Sequence, residues 1–231
     1  VSWTTMISIE AQKGQFHNAL WLFNKMQSDG VAPNVVTFIS ILDACAIEAA
    51  IEVGRLIHMF VLDFGLESES PMVSALVNMY GKCGNVGTAR ELFDKMPIRT
   101  SISWNAMLSI YSMQGHGKEA LSLFRVMKEK SVMPDKSTYL SLLEACSNHA
   151  VSSDGEYIHS SLIASGCDDD ANVTISLMNM YGRCGNMQAA QRTFEQMSNP
   201  NVISWTSMIA LYGQHGKCKD ALMLFQKMLH I

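Results

Sequence analysis

Apolar side chains along this chain recur at three- and four-residue steps, the spacing that gathers them on one face of an α-helix. Phe16, Ala19, Leu20, Phe23 and Met26 follow it, after an earlier stretch opened by Trp3, Met6 and Ile7. Gly14 lies between the two stretches, and Gly30 follows the second, where a left-handed cap residue is wanted. Pro33 then prevents simple continuation. The pattern predicts a helical hairpin over residues 1–34.

That hairpin recurs. Ser2-Trp3-Thr4-Thr5-Met6 has near-copies at Ser103-Trp104-Asn105-Ala106-Met107 and Ser204-Trp205-Thr206-Ser207-Met208, a step of 101 residues each time. The same step relates Cys45 to Cys146, His58 to His159, Cys83 to Cys184 and Pro33 to Pro134, and it joins Phe23, Phe124 and Phe225. A fixed period outranks local signals, because missing it misassigns the whole fold. Each unit divides into modules of 35, 31 and 35 residues, starting near Val35, Ser70 and Ser101. One hairpin cannot bury both faces of its helices, so neighbours must stack and share a core. The expected fold is an all-α solenoid.

Composition changes this picture little. Apolar residues at 48% suffice for a continuous core, and a net charge of −4 creates no global attraction to polyanions. Any nucleic-acid binding must therefore rest on a local groove. No apolar run approaches the roughly 20 residues of a membrane span. Four of the six cysteines fall in period-related pairs and no Cys-x-x-Cys occurs, which favours packing roles in a reducing compartment. The chain starts and stops inside modules, so it is expected to be a slice of a longer protein.

Candidate chemistry lies on one helical face. Thr4, Ser8 and Ala11 lie there in the first Trp-bearing helix, Asn105, Ser109 and Ser112 in the second, Thr206, Ala210 and Gly213 in the third. Stacking would line a shallow groove with small hydrogen-bonding groups; the alternative is an ordinary solvated face. Lys82 and Arg183 occupy equivalent positions at a helix end, as phosphate contacts or as cations complementing a helix C-terminus. The His58 and Cys45 spacing is unlike a zinc site, as is that of His159 and Cys146. A nucleophile elbow, a phosphate-cradling Gly loop and paired His/Glu residues are missing, so neither catalysis nor a cofactor is expected.

These segments, together with Tyr80-Gly81-Lys82-Cys83-Gly84-Asn85 and Ala89-Arg90-Glu91-Leu92-Phe93-Asp94-Lys95-Met96-Pro97, resemble the pentatricopeptide repeat family. The resemblance is to its subclass with alternating P, L and S motifs. It implies a right-handed superhelix of helix-turn-helix repeats: P at 1–34 (lacking its first residue), L at 35–69, S at 70–100, P at 101–135, L at 136–170, S at 171–201 and a partial P at 202–231. It further implies sequence-specific binding of single-stranded RNA in a plant mitochondrion or chloroplast, most often to define sites of cytidine-to-uridine editing. Editing accessory proteins are possible partners, and no membrane is.

In the family's pattern the fifth and last residues of a motif choose one base, and the second residue helps to sandwich it. Thr4 with Asn34 then resembles an adenine reader, Asn105 with Asp135 a uracil reader, and Thr206 a purine reader. Val1, Ile102 and Ile203 would supply the apolar sandwich. The S-motif residues Ser74 with Thr100, and Ile175 with Asn201, depart from clean pairs, and an Ile cannot bond a base edge. The L motifs, Ile39 with Glu69 and Leu140 with Asp170, receive no base. The implied site is A, two loosely read bases, U, two more, then a purine. A deaminase would need His-x-Glu and Cys-x-x-Cys, and neither is present. The competing expectation is a protein-binding helical scaffold in an organellar RNA-processing complex. Exposed terminal hairpins predict end-to-end self-association.

Overall fold

The computed structural model describes residues 2–149, 152–167 and 170–229. Among them are fourteen helices: α1 (Trp3–Gln12), α2 (Phe16–Ser28), α3 (Val35–Glu48), α4 (Ile51–Asp63), α5 (Ser70–Lys82), α6 (Val86–Lys95), α7 (Ser101–Met113), α8 (Gly117–Glu129), α9 (Lys136–His149), α10 (Ser152–Ser165), α11 (Ala171–Arg183), α12 (Met187–Glu195), α13 (Val202–Gln214) and α14 (Cys218–Met228). The chain divides into two compact units, Val1–Ile110 and Tyr111–Ile231.

In the first unit each odd-numbered helix pairs with the even-numbered helix that follows it, and α1, α3 and α5 stack in sequence. Left-handed Gly14, Gly30, Gly65 and Gly84 end helices in this unit. Phe23 of α2 meets Phe38 of the next module with ring centroids 6.0 Å apart, and Phe38 meets Phe64 at 5.5 Å. Phe93 presents to buried Trp104 edge-on at 5.1 Å. The aromatic residues thus join successive modules into one core, as the shared-core argument requires.

The second unit repeats this scheme. α9, α11 and α13 stack, and α11 and α13 pair with α12 and α14. Phe124 meets Tyr139 at 6.0 Å, and the buried Tyr139 hydroxyl donates to the Ser161 carbonyl at 2.9 Å. Between α10 and α11, His159 Nδ1 and the Tyr181 hydroxyl are hydrogen-bonded at 2.8 Å; His58 and Tyr80 form the same contact at 2.9 Å in the first unit.

Two kinds of glycine allow this stacking to be close. Gly155 sits against Met180, where an added Cβ would come 2.6 Å from the sulfur, and Gly182 against Leu211, where it would come 2.5 Å from Cδ2. Gly54 and Gly81 make the equivalent approaches to Met79 and Ile110. Cys45 and Cys146 are buried in the seam, and burial pushes each thiol up to about 12. All six cysteines are free. Met26, Met96 and Met127 are buried in the seam, whereas Met197 and Met228 are half-buried. Among the described residues no helix is long and apolar enough to cross a membrane.

Candidate nucleic-acid interface

Asn34, Asp135, Asp170 and Asn201 sit at the N-terminal ends of α3, α9, α11 and α13 and are held there by capping. A helix begins with unsatisfied N–H groups that a preceding Asn, Asp, Ser or Thr can accept from. Asn34 does so for α3: its Oδ1 accepts from Thr37 N at 2.9 Å and from Thr37 Oγ1 at 3.0 Å. Thr37 Oγ1 also contacts Thr4 Oγ1 at 3.0 Å. Thr37 has one hydroxyl proton, and it goes to Asn34, so Thr4 is the donor in that contact. The buried Thr37 hydroxyl therefore couples Thr4 to Asn34, one the fifth residue of a module and the other its last.

In the second unit Asp135 is placed in the same way. Its Oδ1 accepts from Thr138 N at 3.0 Å and from Thr138 Oγ1 at 3.1 Å, while its own N–H donates to Thr138 Oγ1 at 3.0 Å. Asn105 lies on α7, half-exposed. Asn201 caps α13 by accepting from Ser204 N at 2.9 Å. Thr206 is exposed and donates to the Val202 carbonyl at 2.6 Å.

Ser74 donates back to the Ser70 carbonyl of its own helix at 2.9 Å, while Thr100 is exposed and its carbonyl accepts from Ser103 Oγ at 2.9 Å. Ile175 is buried. Asp170 caps α11 and holds Lys136 Nζ at 2.7 Å; that lysine, foremost, keeps its carboxyl below the usual range.

Ile102 and Ile203 are strongly exposed for their type, at 75% and 62%. Val1 lies outside the described residues. Val36, 55% exposed, sits at the equivalent second position of its module and was not singled out above. Thr37 and Thr138 were likewise missed. Their one sequence signal is the 101-residue step that relates them.

Lys82 and Arg183 are exposed at the ends of α5 and α11. Lys82 lines a cleft of about 230 Å³ with Ser8, Ser40, Asp43 and Asn78. Arg183 lines one of about 270 Å³ with Glu144, Ser147 and Asn179. Some of the small hydroxyls on these helices are used internally: Ser8 and Ser40 are 2.6 Å apart in the first unit, and Ser112 donates to Glu144 at 3.1 Å in the second. The cleft walls strip water from the Asp43 carboxyl and raise its pKa, although the residue is exposed by area; Lys82 and Asn78 pull in the opposite direction. Among the described residues no group of three or more His, Cys, Asp and Glu could hold a metal ion.

Hairpins stacked in this way, with capped first helices side by side, define an α-solenoid of helix-turn-helix repeats. The PPR repeat family model matches residues 1–47 and 99–148, and the PPR repeat model matches 72–99, 175–201 and 203–231. The chain belongs to the pentatricopeptide repeat family. A pentatricopeptide repeat-containing protein of Arabidopsis thaliana named as chloroplastic is 37% identical over 99% of this chain and 28% of its own length. Another, named as mitochondrial, is 31% identical over the whole of this chain and 38% of its own length. The chain thus spans about a third of the length of such relatives. The solved structure of pentatricopeptide repeat protein PPR10 in complex with an 18-nt psaJ RNA element superposes with a TM-score of 0.83 at 20% identity, covering 99% of this chain and 35% of that one. PPR10 from maize gives a TM-score of 0.74 at 19% identity over 99% of this chain and 34% of that one.

Proposed function

We propose that this chain binds single-stranded RNA in a sequence-specific way, one base per repeat, as the recognition part of an organellar cytidine-to-uridine editing factor. The observation that carries the reading is the Thr4–Thr37–Asn34 network. With Thr4 donating to Thr37 and Asn34 Oδ1 engaged in capping, the Thr4 oxygen can still accept and the Asn34 amide nitrogen can donate. That is the complement of adenine's pairing edge, which offers an amino donor beside a ring-nitrogen acceptor. For Asn105 with Asp135, a carboxylate oxygen accepts the ring N–H of uracil and the Asn105 amide donates to a carbonyl. Ile102 and Ile203, exposed beside these positions, supply apolar surface for base faces. Lys82 and Arg183 supply charge for phosphates.

In this reading the modules are P, L, S, P, L, S and a partial P. The helix starts at Val35, Ser70, Ser101, Lys136, Ala171 and Val202 support those boundaries. The buried Ile175 and the lysine-bound Asp170 support assigning no particular base to the second S and L motifs. Organellar residence rests on the chloroplastic and mitochondrial relatives.

The test is binding of A-N-N-U-N-N-purine RNA at fixed salt, with U replaced by G, C or A, for the wild type and Asn105→Thr. A preference for U that moves to G in the variant is expected. Binding indifferent to both changes overturns the base-reading assignment. It would favour the protein-scaffold reading, for which the apolar residues exposed on α4, Leu56, Met59 and Leu62, are the supporting observation.

A further inference from the structure

The two clefts lined by Lys82 and by Arg183 each hold an acid as well. Asp43 of α3 lines the same cleft as Lys82 and Asn78 of α5, and Glu144 of α9 lines the same cleft as Arg183 and Asn179 of α11. All three positions correspond between the two units at the 101-residue step, so the arrangement of acid, amide and cation is built twice. Each acid comes from the preceding module's first helix, and helix stacking brings it to the cation. The second acid is further anchored by Ser112, 3.1 Å from its Oε2.

A carboxylate beside a cation in a phosphate-facing groove has a definite electrostatic consequence. It offers the cation a negative charge that is always present, and it repels an incoming phosphate. We infer that Asp43 and Glu144 are intramolecular competitors of RNA phosphate for Lys82 and Arg183, and that they hold down the sequence-independent part of RNA affinity. This rests on the RNA-binding reading above. Burial has the largest effect on the Asp43 carboxyl and raises its pKa; against it, the charge of Lys82 and the amide of Asn78 act on the ionised form within the cleft. Phosphate contacts carry no sequence information. Weakening them therefore lowers binding to every RNA alike and leaves the ratio between cognate and mismatched sites intact.

The experiment measures the affinity of the whole chain for A-N-N-U-N-N-A RNA and for its U-to-C counterpart, at fixed low salt. The proteins are wild type, Asp43→Asn, Glu144→Gln, Lys82→Met and Asp43→Asn combined with Lys82→Met. Glu91→Gln on α6 serves as a control of equal charge change outside the cleft. Melting curves establish that each variant is folded. Asp43→Asn and Glu144→Gln are each expected to tighten both RNAs by about three- to tenfold, with the ratio between the two RNAs unchanged. In the Lys82→Met background the Asp43→Asn gain is expected to shrink toward that of the control. A gain no larger than that of Glu91→Gln, a gain undiminished without Lys82, or a loss of affinity on removing the acid each overturns the inference. Wild-type protein that binds neither RNA overturns the RNA-binding reading itself, which separates the two failures.

Discussion

Asn34 and Asp135 each cap a helix and, under the proposed reading, each also chooses a base; the two roles can be separated by substitution. As caps they need only a side-chain oxygen for the first N–H groups of the next helix. As base readers they need a particular pattern of donors and acceptors. Asp135→Asn preserves the cap, so stability should stay within about 0.5 kcal/mol of wild type while the preference for U is lost; Asp135→Ala should lose both, at about 1 kcal/mol of stability. Urea denaturation alongside RNA competition reads the two effects apart. Asp43 gives a second prediction. Its folded-state pKa is raised, so between its ordinary value and the raised one the native state binds the extra proton and stability falls as pH rises. Asp43→Asn should therefore raise the Tm at pH 7, and the gain should vanish in acid, below the ordinary carboxylate range. A gain that persists there would point to altered packing instead. At this scale the sequence was only half legible. The repeat marked Asn34, Asp135 and Asn201 by their position, but not as helix caps. The sequence was silent on Thr37 and Asp43, because Thr37 meets Thr4, and Asp43 meets Asn78 and Lys82, by stacking between modules, not by the three- and four-residue steps along one helix.

The elements themselves were almost fully legible, and the reason is visible in α5 and α11. Each ends one residue before a Cys and two before a left-handed Gly, so the sequence carries its own stop signal. What the sequence left silent was how near the elements come to each other. Gly182 reads as an ordinary helix-weakening residue, yet the Leu211 side chain fills the place of its missing Cβ. Gly182→Ala is expected to destabilise the protein by about 1–2 kcal/mol, overpacking outweighing the gain in helix propensity. Gly213→Ala, where nothing lies within 4 Å, should be neutral or mildly stabilising. Chemical denaturation of the pair decides this; equal effects would remove the packing explanation. Thiol labelling probes the same seam. Exposed Cys218 should react with iodoacetamide at pH 8, while Cys45 and Cys146 should stay protected until the chain unfolds. Their rapid labelling in the native protein would contradict the burial.

For the molecule as a whole, equivalent residues in different modules differ in what covers them. Phe23 and Phe124 are buried against the next module, whereas the equivalent Phe225 is 47% exposed, with Leu222, Met223 and Leu229 exposed beside it. Trp21 is similarly uncovered on α2. Contiguous apolar surface of this kind drives association. The isolated chain is expected to gain mass with concentration in light scattering, and Trp21→Ser with Phe225→Ser to suppress the gain; a constant monomer mass over a wide range would refute it. The 101-residue step has another consequence, one that belongs to the RNA. Acid, amide and cation recur once in every three modules, so under one-base-per-module reading the backbone of a bound strand would be gripped with a beat of three nucleotides. Chemical interference at successive phosphates should then rise and fall with that beat, a coarse rhythm laid over whatever letters the strand spells.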